Sequence, residues 1–279
     1  MPTFTAPDGT LLSYHVEGTG APLICLPGGP MTSSAYLGDL AGLTERRTLI
    51  RLDLRGTGDS AVPADPATYR CDRQVPDVEA LRVHLGLARI DLLAHSAGGD
   101  LALSYAGAHP ERVERLVLIA GRARAVGIEF PLSDRDEAIA LRAGEPWYPE
   151  AMAALARLRA GETGPEVVAK LAPFGYRDWN TETRAHAEFC DRHRNNEAAM
   201  AYIAEGAFDP EITRAGLARL TGSVLMFSGE VDTGPRPKVV ESMVALFPKA
   251  VHVEVPGAAH QIWLDDPAVF RANVDEFLG

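Results

Sequence analysis

The chain has 279 residues, of which 46% are hydrophobic, and carries a formal net charge of -11 at pH 7. This length and composition allow one large globular core or two smaller ones. The negative charge opposes binding to nucleic acid and to anionic membrane surfaces, because both depend on basic patches that the sequence lacks. We therefore expect a small, uncharged or cationic partner, and a monomer or small homo-oligomer.

Neither a membrane segment nor an export signal is visible in the sequence. No apolar run approaches the roughly 20 residues needed to cross a bilayer, and the first residues, MPTFTAPDG, lack the basic and apolar regions of a signal peptide. A cytoplasmic location is the expectation that follows. The cysteines, Cys25, Cys71 and Cys190, are odd in number and lack metal-type spacing, so we expect reduced thiols.

Strand and helix patterns alternate along much of the chain. Residues 1–17 alternate polar and apolar side chains around Asp8-Gly9, which predicts an antiparallel hairpin. Short apolar runs bounded by Gly, Pro or Asp are typical of strands buried on both faces, and they read PLICLP, TLIRLD, IDLLAHS, ERLVLIAG and SVLMFSG. Helical spacing is found at 33–44, 74–87, 97–108, 236–247 and 266–278. The alternation predicts an α/β domain with a mostly parallel central sheet and helices on both faces.

A long interruption separates the last two of these runs. Roughly a hundred residues lie between Ala120 and Ser223, where a crossover normally takes far fewer. The interruption contains charged helical pieces such as DRDEAIALRA, EAMAALARLRA and RNNEAAMAYIAE. We predict a helical cap over 126–215, inserted between core segments 1–125 and 216–279. Most of its aromatic side chains would form the cap's own core, and Trp147 and Tyr202 are candidates to line a substrate pocket.

A serine follows the third apolar run where a strand gives way to a helix. In the stretch from Ala94 to Gly98, AHSAG, small residues on both sides of Ser96 permit the tight, strained turn that exposes a hydroxyl at the carboxyl edge of a sheet. An ordinary helix N-cap is the alternative interpretation of such a serine. The strand before it and the helix after it favour a nucleophile elbow.

A serine hydroxyl needs a base to take its proton and a carboxylate to orient that base. Asp232 lies just after the fifth run, in SGEVDTG, and is the preferred acid, with Glu230 as the competitor. His260, on the Gly/Ala-rich loop of VPGAAHQ, is the candidate base. His95 adjoins Ser96 but is expected to point away from it.

Acyl transfer also requires hydrogen-bond donors aimed at the oxyanion of the tetrahedral intermediate. The backbone N–H of Ala97 is one candidate. Gly28 and Gly29, after the first run, can bring bare backbone next to the substrate. We assign the second donor to Gly29 and a substrate contact to Gly28, with a plain Gly-Pro turn as the alternative. This chemistry needs no metal and no cofactor, and none is expected.

These residues together resemble the α/β-hydrolase superfamily and, within it, the proline iminopeptidase group of serine aminopeptidases. PGGP at 27–30 is similar to the HGGPG loop of that group, LIRLDLRGTGDS at 49–60 to its strand and following loop, and AHSAGG at 94–99 to its elbow. SGEVDTG and PGAAHQIWLDDP match its acid and base segments.

The resemblance implies an α/β-hydrolase fold with an inserted cap, and a triad of Ser96, His260 and Asp232 in the chain order of that superfamily. It also implies that a cap glutamate binds the free α-amine of the substrate, and Glu205 has a similar position.

The expected activity is hydrolysis of an N-terminal aminoacyl amide, in a short peptide or small metabolite with a free amine, through an acyl-enzyme. A carboxylesterase is the main alternative, because the same three groups cleave esters. A hydrolase fold kept only as a ligand receptor is a remote alternative. Dehalogenase and epoxide hydrolase relatives place an aspartate where this chain has Ser96.

Overall fold

The computed structural model describes all 279 residues and is built around one eight-stranded sheet. The strands are β1 Thr3–Thr5, β2 Leu11–Gly18, β3 Ala21–Leu26, β4 Arg47–Leu52, β5 Ile90–His95, β6 Val113–Ile119, β7 Ser223–Gly229 and β8 Ala250–Val255. Their order across the sheet is β1-β2-β4-β3-β5-β6-β7-β8. The hairpin strands β1 and β2 pair antiparallel, β2 pairs antiparallel with β4, and all later neighbours are parallel. The predicted mostly parallel sheet is confirmed.

Helices cover both faces of this sheet. The α-helices are α1 Cys71–His84, α2 Gly98–Ala108, α3 Leu132–Ala140, α4 Tyr148–Arg159, α5 Pro165–Ala169, α6 Thr181–Arg192, α7 Asn196–Tyr202, α8 Pro210–Leu217, α9 Pro237–Val244, α10 Ile262–Asp265 and α11 Pro267–Leu278. No helix combines the length and the apolar character that a bilayer crossing requires.

Alternation of side chains along the central strands creates two cores. In β3, Ile24 and Leu26 join a cluster of 40 buried residues, whereas Leu23 and Cys25 join a cluster of 20 on the other face. Successive side chains of a strand point to opposite faces, so a strand buried on both faces needs the continuous apolar run seen in the sequence.

The predicted helix over 33–44 was wrong. The chain forms two short 3-10 turns there, Ser34–Leu37 and Leu43–Glu45. Between them Leu40 and Ala41 have left-handed φ angles of 50° and 59°, which a helix does not allow. The leucines spaced three apart are nevertheless buried, so turns bury them as a helix would have done.

The segment between β6 and β7 carries α3 to α8, and the last of these helices belongs to the core rather than the cap. A Cβ at Gly216 in α8 would lie 1.9 Å from the carbonyl oxygen of Gly107 in α2, so the two helices are in backbone contact. Leu217 is buried in the same cluster as α2. The predicted cap boundary at residue 215 therefore falls inside a core helix. The pattern of charged residues did not reveal that α8 belongs to the core, because α8 also has an exposed face.

Candidate active site

Ser96 occupies a strained turn between β5 and α2. Its φ angle is 52°, in the left-handed region that costs a residue with a Cβ roughly 1–2 kcal/mol. The turn is held by the end of β6, since Ser96 N–H donates to the Ile119 carbonyl at 2.9 Å and the Ser96 carbonyl accepts from Arg122 N–H at 2.8 Å. Behind it, a Cβ at Gly98 would lie 2.6 Å from the Pro27 carbonyl oxygen. The small residues around Ser96 are therefore required by packing.

The loop after β3 approaches this turn closely. A Cβ at Gly28 would lie 2.7 Å from Ser96 Cβ, and Gly28 N–H donates to Tyr36 Oη at 2.7 Å. Gly28 is thus buried against the elbow and does not line the cavity described below, which corrects its predicted role as a substrate contact. Gly29 is exposed, and neither its N–H nor that of Ala97 donates to a protein acceptor. Two unused donors remain beside the serine.

Asp232 and His260 are joined at the same edge of the sheet. His260 Nδ1 lies 2.8 Å from Asp232 Oδ2, and Asp232 Oδ1 accepts from Gly234 N–H at 2.7 Å. The aspartate side chain is 1% exposed and the histidine 22%, so the carboxylate is shielded while the imidazole faces the solvent side. The one side-chain hydrogen bond of His260 is this contact to Asp232, so His260 Nε2 and Ser96 Oγ are bonded neither to each other nor to another protein group. The competitor Glu230 is exposed and accepts from Gly257 N–H instead.

A buried chain of hydrogen bonds links the loop after β3 to the histidine loop. Beyond the Gly28 contact, Tyr36 Oη lies 2.7 Å from His95 Nδ1, and His95 Nε2 lies 3.1 Å from the His260 carbonyl oxygen. The only proton arrangement that satisfies every group has Tyr36 donating to Nδ1 and Nε2–H donating to the carbonyl. Burial and the neighbouring His260 hold the pKa of His95 well below its usual range, so this imidazole is neutral. As predicted, His95 points away from Ser96.

Sequence reasoning missed the roles of Tyr36 and His95. Tyr36 lies in the segment predicted to be a helix, where an isolated tyrosine gives no sign of a polar contact. The position of His95 next to Ser96 was the one available signal.

A cavity of about 620 Å³ lies between the candidate catalytic groups and the cap. Gly29, Asp232 and His260 line its floor. Its roof comes from the α5–α6 region of the cap, including Phe174 and Trp179. The volume is in the range of small-molecule sites, roughly 300–1,000 Å³. Charged side chains also line it, namely Arg122, Arg135, Arg184, Arg194, Glu188 and Asp191.

Three predicted substrate-binding side chains lie outside this cavity. Glu205 is exposed in a turn after α7, where its carbonyl oxygen accepts from Arg70 at 3.2 Å. Trp147 packs edge-on against Phe174, with ring centroids 5.0 Å apart, in the small core of the cap. Tyr202 is 1% exposed and donates to the Ala97 carbonyl oxygen at 3.0 Å. The predicted role of Glu205 is corrected because α7 ends before this residue. The predicted roles of Trp147 and Tyr202 are corrected because their rings are packed against other residues.

Comparisons with known proteins agree with this architecture. Residues 21–267 match the model of the family with the α/β hydrolase fold. The chain belongs to that family.

Individual relatives are named for different activities. A (lyso)-N-acylphosphatidylethanolamine lipase of Mus musculus is 29% identical over 279 residues, covering 91% of this chain and 78% of the relative. A proline iminopeptidase of Levilactobacillus brevis is 27% identical over 271 residues, covering 92% and 88%. The crystal structure of a proline iminopeptidase of Mycobacterium smegmatis has a TM-score of 0.75 at 25% identity, covering 99% of this chain and 97% of the other. Together they support a hydrolase and leave the choice between ester and amide open.

Proposed function

We propose that the protein is a serine hydrolase that cleaves a carboxylic ester or amide of a small molecule through an acyl-enzyme on Ser96. The observation that carries this proposal is the 2.8 Å contact between Asp232 and His260, at the sheet edge where Ser96 is held at a left-handed φ of 52°. His95, the residue before the serine, is hydrogen-bonded to His260. A cavity of small-molecule size is lined by Gly29, Asp232 and His260.

Acylation follows from the groups in place. Ser96 Oγ attacks the carbonyl carbon of the substrate while His260 Nε2 takes the hydroxyl proton. The Asp232 carboxylate accepts Nδ1–H and stabilises the imidazolium that forms. The N–H groups of Gly29 and Ala97 donate to the oxyanion, where loss of one donor costs about 10² to 10³ in kcat. The intermediate collapses as the leaving alcohol or amine takes the proton from His260.

Deacylation repeats these steps with water. A water molecule attacks the acyl carbon and gives a proton to His260. The second tetrahedral intermediate releases the carboxylic acid, and Ser96 Oγ regains its proton from the imidazolium. The products are one acid and one alcohol or amine, and the enzyme returns to its starting protonation state.

Hydrolysis of an N-terminal aminoacyl amide is the second candidate within this chemistry. Its support is the match to proline iminopeptidases and the presence of carboxylates in the cavity lining. A buried ammonium requires a carboxylate partner. Glu188 and Asp191 on α6, rather than Glu205, are the acids placed to provide one.

Steady-state kinetics test both proposals. With 4-nitrophenyl acetate, Ser96→Ala and His260→Gln should each lower kcat by roughly 10³-fold or more, whereas Glu205→Gln, outside the cavity, should leave it unchanged. Full activity in Ser96→Ala would place the nucleophile elsewhere. Free and acetyl-capped alanyl and prolyl 4-nitroanilides then test amine recognition. Preference for the free amines, reduced in Glu188→Gln, would support the aminopeptidase, and equal turnover would exclude it.

A further inference from the structure

Four arginines line the cavity together with Asp232 and His260. Arg122 follows β6, and its N–H donates to the Ser96 carbonyl. Arg135 on α3 donates from Nε to the carbonyl of Thr233, the residue after Asp232, at 3.3 Å.

The other two come from α6 and the residues that follow it. Arg194 donates from Nε to the Pro30 carbonyl, at 3.3 Å, next to Gly29. Arg184 on α6 lies over the Trp179 ring, 5.4 Å from its centroid. The backbone of Arg122 thus lies at the Ser96 turn, Arg135 and Arg194 are anchored at the loops that follow Asp232 and Gly29, and Arg184 lies at the roof.

None of these four guanidinium groups has a carboxylate within 4.0 Å. Most arginines of this acidic chain do have such a partner, including the buried Arg55, which Asp77 holds in a two-point contact at 2.6 Å. The side chain of Arg122 donates no hydrogen bond within the protein and lies 5.7 Å from the centroid of the Phe130 ring. Burial, with the nearby cations Arg124 and Arg135, lowers the pKa of Arg122. An anion placed in the cavity would relieve this repulsion.

The acidic residues of the lining offset these cations only from a distance, since Asp232 acts on Arg122 and Asp191 on Arg194 without a direct ion pair. Asp232 is hydrogen-bonded to His260, and Glu188 and Asp191 on α6 are exposed, as are Arg135, Arg184 and Arg194, which leaves Arg122 as the partly buried guanidinium. A partly desolvated guanidinium favours a planar anion that can accept two parallel hydrogen bonds.

We propose that this cavity recognises an anionic group, a carboxylate or a phosphate, on the substrate that Ser96 attacks. This inference rests on the proposed function, because it places the anion beside the scissile carbonyl. It differs from the expectation of an uncharged or cationic partner, which came from the net charge of -11. Net charge averages over the whole surface, whereas a substrate meets the local field of the cavity. A short peptide with a free C-terminus would satisfy the arginines as well as the acids on α6.

Matched substrate pairs test the inference. Mono-4-nitrophenyl adipate against methyl 4-nitrophenyl adipate places a carboxylate on the acyl side, and 2-butyryloxyethyl phosphate against 2-butyryloxyethanol places a phosphate on the leaving group. The measured quantity is the ratio of kcat/KM for the anionic ester to that for its neutral partner. Arg122→Gln and Arg194→Gln should each lower the ratio by about 10-fold to 100-fold in one of the pairs, as expected for lost charge-assisted hydrogen bonds. The matched control Arg219→Gln, an exposed arginine outside the lining, should not change it.

The outcomes separate this inference from the proposed function. Hydrolysis of the neutral esters with no preference for either anion, or an unchanged ratio in both cavity variants, would overturn anion recognition and leave the hydrolase in place. If no ester is cleaved, calorimetry of adipate and of inorganic phosphate with the Ser96→Ala protein gives the answer without turnover. Binding that is lost on Arg122→Gln supports the inference, and absence of binding refutes it.

Discussion

The imidazole of His95 holds the backbone of His260 in place: His95 Nε2 lies 3.1 Å from the His260 carbonyl oxygen. Its other nitrogen is held by Tyr36, which in turn accepts from Gly28 N–H. One buried chain therefore fixes the loop that carries an oxyanion donor relative to the loop that carries the base. A neutral His95 is required, because a proton on Nδ1 would leave the Tyr36 hydroxyl proton without its acceptor.

Removal of the Tyr36 hydroxyl tests this chain. Tyr36→Phe leaves Gly28 N–H and His95 Nδ1 buried without a partner, and each such group costs about 1–3 kcal/mol. We expect a loss of that order in the free energy of unfolding in urea, and a kcat for 4-nitrophenyl acetate that falls more than KM changes. Tyr148→Phe is the control, since the Tyr148 hydroxyl has no protein partner. Equal effects of the two substitutions would show that the chain positions nothing.

The left-handed turn at Ser96 predicts an unusual order of stabilities. Glycine adopts a φ of 52° without the Cβ penalty, so Ser96→Gly should be more stable to urea than Ser96→Ala by about 1 kcal/mol. Both variants should be inactive. At Ala153, exposed within α4, the same replacement of alanine by glycine should have the opposite sign and destabilise by about 0.5–1 kcal/mol. If Ser96→Ala equals or exceeds Ser96→Gly in stability, the turn carries no strain.

Close packing at Gly28 predicts a large effect of a single methyl group. In Gly28→Ala the new Cβ would meet Ser96 Cβ and the His95 carbonyl oxygen, each at 2.7 Å. The serine must then move away from its donors, and we expect kcat to fall by about 10²-fold, as for the loss of an oxyanion contact. Gly144→Ala is the control because a Cβ there meets nothing within 4 Å. Wild-type kcat in Gly28→Ala would contradict the packing described for the elbow.

Asp100 on α2 should make stability depend on pH. Burial raises its pKa to about 6, although Oδ1 accepts from Ala125 N–H at 3.0 Å. The folded protein therefore binds this proton more tightly than the unfolded chain does, and stability is lost as the pH rises from about 4 to about 6. The cost of ionising the buried carboxyl is about 3 kcal/mol at neutral pH.

Asp100→Asn should remove this cost, since the amide oxygen can still accept from Ala125. Urea unfolding should show the variant more stable than the unmodified protein at pH 7.5, with the difference shrinking towards pH 4. Asp209→Asn, at an exposed helix N-cap where asparagine caps equally well, should give no such trend. A pH-independent difference for Asp100→Asn would refute the assignment.

Local sequence patterns were sufficient for the sheet and for the position of Ser96. Buried strands need continuous apolar runs, and a tight turn packed against Pro27 and Gly28 needs small residues. Both requirements are met by residues that are adjacent in the sequence, so both features could be predicted. The pairing of Asp232 with His260 was also predictable, because each follows a parallel strand and such strands end at one edge.

The cap residues were not predictable in this way. Whether Glu205 or Glu188 faces the cavity depends on where a helix ends and how it turns against the core, which is set by tertiary packing. Tyr36 acts through a contact with His95, 59 positions away. Which arginines lack a carboxylate partner likewise depends on the folded positions of all the carboxylates, so the sequence alone does not show it.

The most direct measurement is the location of a covalent adduct with a fluorophosphonate, a reagent that reacts with activated serines. After incubation of the folded protein, peptide mass spectrometry should find one adduct, on Ser96, and its rate of formation should fall strongly in His260→Gln. An adduct on another residue, or undiminished labelling of Ser96→Ala, would contradict the assignment of Ser96 as the nucleophile.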